Sequence, residues 1–111
     1  MKICVTAKGD SLDSLAEMRF GRSPFFIVID EESGASSAIK NEYADAAGGV
    51  GPRSAQVLIS SGVKVLITGQ LGGNAQRAVE AAGIEVYQYR SDGTVNDALK
   101  QYRDGGLTRI L

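Results

Sequence analysis

The sequence predicts an α/β fold with three helices and a mixed five-stranded sheet in the order 3-2-1-4-5. Three strand-like runs come first, and two further runs then alternate with helical segments. The short turn at residues 31–34 makes the second and third strands an antiparallel hairpin, so the second strand opposes its neighbours. Right-handed helical crossovers then place the fourth and fifth strands parallel to the first.

A long loop without sustained periodicity follows the first predicted strand. That strand, at residues 2–6, carries Cys4 as a buried small side chain, with a soft metal or redox ligand as the alternative. Residues 7–24 form a loop of a length that is unusual in a small domain and is often functional. Lys8 and Arg22 lie near its two ends, so both are candidate site residues, although a solvated surface position is the alternative.

The middle of the chain continues with a hairpin and the first helix. Residues 25–30 have the length and β-branching of a buried strand, and residues 35–41 form a weaker strand at an edge. Gly51 and Pro52 open the first helix, because proline suits the first helical position, and Gly62 ends it.

The second half alternates strands and helices. Strands are predicted at residues 63–68 and 84–87, with a helix between them at residues 75–82. The small side chains on one face of that helix indicate close packing on the sheet. Thr94, with Asp97 three residues later, resembles a capping box at the start of the last helix.

Composition limits the function classes. The chain has 111 residues, 43% of them hydrophobic and 23% charged, and this predicts a single folded domain over residues 1–111. The net charge of −1 provides no basic field for nucleic acid. No apolar run approaches the roughly 20 residues of a membrane span, and no signal pattern precedes the first strand, so a cytoplasmic location is expected.

Histidine is absent, and cysteine occurs once. These counts exclude a Ser-His-Asp triad, a Cys-His pair and a histidine metal ligand. One thiol also excludes an internal disulfide and a four-thiolate metal site within one chain. No side-chain metal ligand set is therefore predicted.

Two glycine-rich turns, at residues 48–52 and 69–74, each lead into a helix. The predicted topology brings both turns to the sheet edge at which open α/β sheets bind ligands. Helix N-termini expose N–H groups that favour anions, and cations lie nearby in the sequence. The alternative is that the glycines only make tight turns. The candidate cofactor-binding residues are Lys8, Arg22, Gly48, Gly49, Gly51, Arg53, Gly69, Gln70, Gly72, Gly73 and Asn74.

Catalysis is poorly supported. Neither turn has the pattern of a phosphate-binding P-loop. A two-metal nuclease would need a carboxylate on the central first strand, and residues 2–6 contain none. Acidic residues elsewhere near the edge, such as Asp10 and Asp92, do not supply it. The chain is therefore predicted not to be an enzyme, with a phosphoryl-transfer or nuclease activity as the remaining alternative.

Several stretches together resemble one family along nearly the whole chain. They are MKICVT at 1–6, RFGRSPFF at 19–26, GGVG at 48–51, GVKVLITG at 62–69, AAGIEVY at 81–87 and TVNDAL at 94–99. This pattern resembles the dinitrogenase iron–molybdenum cofactor biosynthesis family, with its NifX-type and NifB C-terminal-type domains. The runs CVTAKG at 4–9 and LDS at 12–14 are similar to the orange proteins of sulfate reducers.

The resemblance implies a three-layer, ribonuclease H-like fold and an accessory role in nitrogenase-type cofactor assembly. It implies binding or carriage of a metal–sulfur cluster or its precursor, of the Mo/Fe/S or Mo/Cu/S type, with cluster-assembly proteins as partners. The orange-protein subgroup holds a molybdenum–copper sulfide cluster without covalent ligation. Many relatives have histidine at the position of Arg19 or in the loop before Gly48, and this chain has none, which favours either the non-covalent mode or the loss of cluster binding altogether.

The leading hypothesis is a small non-enzymatic carrier for an anionic metal–sulfur cluster or a thiomolybdate-like precursor. Backbone N–H groups of the glycine turns, together with lysine and arginine, would hold that anion. The alternative is a protein–protein adaptor in metallocluster assembly that binds no ligand of its own.

Overall fold

A computed structural model, which describes residues 1–46 and 50–111, shows a mixed sheet with helices on both faces. The strands are β1 (Lys2–Ala7), β2 (Phe25–Asp30), β3 (Ser36–Lys40), β4 (Val63–Thr68), β5 (Glu85–Gln88) and β6 (Thr108–Arg109). The helices are α1 (Val50–Ser60), α2 (Gly73–Ala81) and α3 (Val95–Arg103).

The sheet has six strands in the order β3-β2-β1-β4-β5-β6. β2 pairs antiparallel with β1 and β3, while β4 pairs in parallel with β1 and β5. The predicted hairpin, crossovers and order of the first five strands are confirmed. Because β1, β4 and β5 run parallel to one another, their C-terminal ends lie at one edge of the sheet.

The prediction of five strands is wrong, because β6 adds a sixth strand antiparallel to β5. Gly105, with φ of 76°, lies between α3 and this strand. The backbone N–H of Ile110 donates to the carbonyl of Val86 at 2.8 Å, and the N–H of Val86 donates to Leu111 at 3.1 Å. A strand of two residues is too short to show a period of two, which is why the sequence pattern does not reveal it.

The core lies in two layers, one on each face of the sheet. On one face, Ala55 and Leu58 of α1 and Val79 of α2 pack over the strands, with Phe20 stacked on Phe26 at 5.6 Å between ring centroids. On the other face α3 packs against β1, β2 and β4. Buried apolar area of this kind is the main stabilising term in a small domain.

Cys4 is completely buried within the layer under α1 and α2, as the sequence predicts. Burial disfavours the thiolate and therefore raises the pKa of the Cys4 thiol. None of the helices in the described residues is long and apolar enough to span a membrane.

The predicted long loop runs from Lys8 to Pro24 and is attached at three points: to the end of β1, to the start of α3 and to the turn before α2. Isolated β-bridges join Ala7 to Ala16, Leu15 to Thr94, and Arg19 to Gln70. The last of these places the segment that begins at Arg19 beside the turn that leads into α2. The loop therefore forms part of the wall of the site described next.

Candidate functional site

A cleft of about 420 Å³ opens at the sheet edge, between the N-terminal ends of α1 and α2 and the end of the long loop. The first turn of α1, the turn before α2 and the segment after Met18 each contribute one wall. The lining residues are Arg19, Phe20, Gly21, Arg22, Gly51, Pro52, Gln70, Gly72, Gly73, Asn74 and Ala75. We call this space the edge cleft.

The N-terminal ends of α1 and α2 touch at Gly51 and Ala75. A Cβ atom at Gly51 would lie 3.0 Å from the Cβ of Ala75, which is closer than ordinary carbon contacts. Glycine at this position therefore permits the close approach of the two helices. Because both helix dipoles have their positive ends here, the edge cleft is suited to negative charge.

The first N–H groups of α2 have no internal partner. Gly72 is the N-cap residue and provides no side-chain hydrogen bond. Within residues 1–46 and 50–111, no acceptor takes the N–H of Gly73, Asn74 or Ala75. Unpaired donors at a helix start are satisfied by water or by a ligand.

The start of α3 differs in this respect. Thr94 and Asp97 form the predicted capping box, in which the hydroxyl of Thr94 accepts the N–H of Asp97. The N–H groups of Val95 and Asn96 donate to carbonyl oxygens of the long loop, at 2.9 and 3.0 Å. The loop thus occupies the donors of α3 and leaves those of α2 open to the edge cleft.

Packing does not explain the glycines at 72 and 73. A Cβ at either position would meet no atom within 4 Å, and Gly72 has an ordinary φ of −69°. Gly69 is different, because a Cβ there would lie 2.9 Å from the carbonyl oxygen of Met18. The fold therefore requires glycine at 69, whereas glycine at 72 and 73 leaves empty space next to unpaired N–H groups.

Charge in the edge cleft is positive. Arg19 and Arg22 are its charged lining residues, and no carboxylate is among the described residues that line it. One terminal nitrogen of Arg22 donates to the carbonyls of Ala44 and Ala46, at 2.9 and 2.7 Å. Arg22 therefore also anchors the loop that follows β3.

The structure brings together some of the candidate cofactor-binding residues that are predicted from the sequence. Six of them line the edge cleft: Arg22, Gly51, Gln70, Gly72, Gly73 and Asn74. Gly48 and Gly49 lie outside the described residues.

Lys8, Arg53 and Gly69 do not line the edge cleft. Lys8 borders a smaller cavity with Tyr89 and Asp92. Arg53 lies over the ring of Tyr43 at 5.5 Å, in a groove beside β3. Gly69 lies against Met18 and borders a neighbouring cavity that also includes Arg90.

Arg19 is the charged lining residue that is absent from the candidate binding residues predicted from the sequence. Its place depends on the bridge to Gln70, which joins residues 51 positions apart in the chain and leaves no local pattern. The signals at this position are its place in the RFGRSPFF run at 19–26 and, through the family resemblance, the histidine that many relatives have there. The remaining lining residues were not among the predicted candidates either; they are Phe20, Gly21, Pro52 and Ala75.

The donor set suits an anion rather than a metal ion bound by side chains. Among the described residues, no group of three or more histidine, cysteine, aspartate or glutamate side chains could hold a metal ion. Cys4 is buried in the core and does not line the edge cleft. Backbone N–H groups and guanidinium groups fit a cluster or oxyanion that already carries its own ligands.

Two solved structures, one curated protein and one family model match this chain over most of its length. The apo form of the orange protein from Desulfovibrio gigas has a TM-score of 0.93 and 39% identity, over 98% of this chain and 92% of that one. A putative NifB protein from Thermotoga has a TM-score of 0.85 and 38% identity, over 96% and 90% of the two chains. An uncharacterized protein of Methanocaldococcus jannaschii is 27% identical over 94 residues, which cover 82% of this chain and 79% of that protein. A family model described as dinitrogenase iron-molybdenum cofactor matches residues 1–105, so the chain belongs to this family.

Proposed function

We propose that this protein is a non-catalytic carrier of an anionic metal–sulfur cluster, or of its thiomolybdate-like precursor, and that the edge cleft binds this cargo. The observation that carries the proposal is the unpaired start of α2. Its first three N–H groups have no acceptor among the described residues, and they lie beside two arginines and no described carboxylate. Such a site binds through hydrogen bonds and electrostatics, without a covalent bond to the protein.

Family membership supports cargo of this class. The matching family is described by the iron-molybdenum cofactor of dinitrogenase, and one similar structure is that of a putative NifB protein. Another similar structure is called the apo form, a term for a protein that also has a ligand-bound form. Sulfide-ligated molybdenum species are multiply charged anions, and their sulfur atoms accept hydrogen bonds from N–H groups. Both properties match the donor set of the edge cleft.

Each wall of the cleft has a role in this proposal. The N–H groups of Gly73, Asn74 and Ala75 hold one side of the cargo, and the absence of side chains at Gly72 and Gly73 lets it approach the backbone. The Arg19 guanidinium balances its charge from the wall formed by the segment after Met18. The Gly51 contact keeps the start of α1 close to the same point. None of these groups needs to exchange a proton, which is consistent with carriage rather than catalysis.

The test is a titration of the protein with tetrathiomolybdate under anaerobic conditions, with and without Cu(I). We expect a change in the visible absorption of the molybdenum species. We also expect shifts of the backbone amide NMR signals of Gly51 and of residues 70–75. The arm with copper distinguishes a mixed Mo/Cu/S cargo from a molybdenum–sulfide precursor alone.

The start of α3 provides an internal control, because its N–H groups are already paired. The amide signals of Val95, Asn96 and Asp97 should therefore not move. Unchanged signals at residues 70–75 throughout the titration would overturn the carrier proposal. If the protein co-purifies with an assembly protein but does not bind thiomolybdate, it is instead an adaptor.

A further inference from the structure

We propose that the buried carboxylate of Glu17 is a positioning residue, which holds Arg19 in the wall of the edge cleft. This inference rests on the proposed function, because it concerns how the same site presents its charge. Glu17 does not line the edge cleft itself, and nothing in the sequence pattern singles it out. It is instead one of the few charged side chains buried in the described part of the protein.

Glu17 is fixed to the sheet before it contacts Arg19. Its backbone N–H donates to the carbonyl of Thr6 at 2.9 Å, and its own carbonyl accepts the hydroxyl of Thr6 at 2.6 Å. Thr6 is fully buried in β1, and its hydroxyl also lies 2.9 Å from that of Thr68 in β4. The carboxylate therefore projects from a rigid point in the centre of the sheet edge.

The carboxylate contacts Arg19 in two ways. Oε2 of Glu17 accepts the backbone N–H of Arg19 at 3.1 Å and lies 3.6 Å from its side-chain Nε. The second distance is too long for a hydrogen bond, so this contact is an electrostatic attraction. On the far side, the bridge to Gln70 and the Phe20 N–H bond to the Gln70 carbonyl, at 3.0 Å, hold the same segment.

Burial of the two side chains is very unequal. The side chain of Glu17 is 9% exposed, whereas that of Arg19 is 63% exposed and lines the edge cleft. Among the described residues, the terminal nitrogens of Arg19 have no hydrogen-bond partner. The carboxylate of Glu17 is therefore buried, while the guanidinium of Arg19 is exposed to the cleft. Its terminal N–H groups are available to an anion.

Simple electrostatics and a positioning role predict opposite changes in anion affinity for the substitution Glu17→Gln. Glu17→Gln removes a negative charge near the edge cleft, which by itself would tighten the binding of an anion. The glutamine oxygen can still accept the Arg19 N–H, so the local fold is retained. If Glu17 positions Arg19, the same substitution weakens binding, because the guanidinium then samples many orientations.

The experiment is a double-mutant cycle with tetrathiomolybdate as the probe. We expect Glu17→Gln to weaken binding about two- to fivefold, in the range of partly exposed ion pairs. In an Arg19→Gln background the same substitution should leave the affinity unchanged or raise it. Glu31→Gln is the matched control, since Glu31 pairs with Arg103 at 2.6 Å, away from the cleft, and should not change the affinity.

A second readout does not need a ligand. The ¹⁵N relaxation of Arg19 Nε in the free protein should show an ordered side chain that becomes mobile in Glu17→Gln. Unchanged Nε mobility, or tighter binding by Glu17→Gln in the presence of Arg19, would overturn the positioning role. If the unsubstituted protein binds no thiomolybdate, the carrier proposal fails, while the Nε measurement still decides whether Glu17 holds Arg19.

Discussion

At the scale of single residues, the turn at residues 69–74 contains glycines that are needed for different physical reasons. Gly69 is required by packing, since a Cβ would lie 2.9 Å from the Met18 carbonyl oxygen. Gly73 has free space around it and begins α2 with an N–H that has no acceptor in the described chain. Replacing each glycine by alanine therefore separates the needs of the fold from those of the proposed cargo.

We expect Gly73→Ala to keep or raise stability and to weaken thiomolybdate binding at least several-fold. Alanine favours a helix over glycine by up to about 1 kcal/mol, and no atom obstructs its methyl group. The methyl group would occupy the space through which the cargo approaches the backbone. Urea unfolding and the thiomolybdate titration measure the two effects, and equal affinity in both proteins would contradict this role of Gly73.

Gly69→Ala should lower the free energy of unfolding by about 1–3 kcal/mol, the usual cost of forcing extra volume into a packed site. The new methyl group would press on the backbone of Met18 and displace the segment that leads to Arg19. Chemical denaturation measures this loss. An unchanged unfolding midpoint would mean that the Met18 segment moves aside without cost.

At the scale of elements, the helices on the two faces of the sheet begin in different ways. α3 has a capping box and two further N–H bonds to the long loop, whereas α2 begins at Gly72 without a side-chain cap. Thr94→Ala should therefore lower the free energy of unfolding by about 1 kcal/mol, the typical value of an N-cap hydroxyl. Thiomolybdate affinity, measured on the same variant, should not change. A loss of affinity would mean that α3 contributes to the site.

At the scale of the whole molecule, burial of Cys4 links stability to pH. Burial raises the pKa of its thiol above the ordinary value of 9.0, so the folded state holds the proton that the unfolded chain releases. This contribution to stability is complete below about pH 9 and is lost as the pH rises above it, by about 1.4 kcal/mol per pH unit.

Comparison with Cys4→Ala isolates this contribution from those of all other groups, which the two proteins share. Denaturant unfolding at about pH 8 and about pH 10 should show that the difference in stability between the two proteins shrinks at the higher pH. Parallel changes in both proteins would show that the thiol of Cys4 is not the responsible group.

The sequence predicts the sheet order because hairpins and crossovers follow from short turns and helical periods. It locates candidate residues only along one edge of the sheet, and several separate cavities open along that edge. Lys8 therefore lies in a cavity with Tyr89, while Gly73 lies in the edge cleft. The position of Arg19 depends on its bridge to Gln70, and that of Glu17 depends on its hydrogen bond to Thr6. No local sequence pattern encodes these contacts between separate parts of the chain.

The open start of α2 has a consequence for how the proposed site of this protein can be tested. A site built from main-chain donors has few side chains to remove, so conventional alanine scanning would detect two arginines, Glu17 behind one of them, and little else. Substitutions that enlarge glycine, or replacement of a single backbone amide by an ester, are the changes that test such a site directly. Substitutions of surface side chains other than these would leave the site intact as long as the helix still begins at that point.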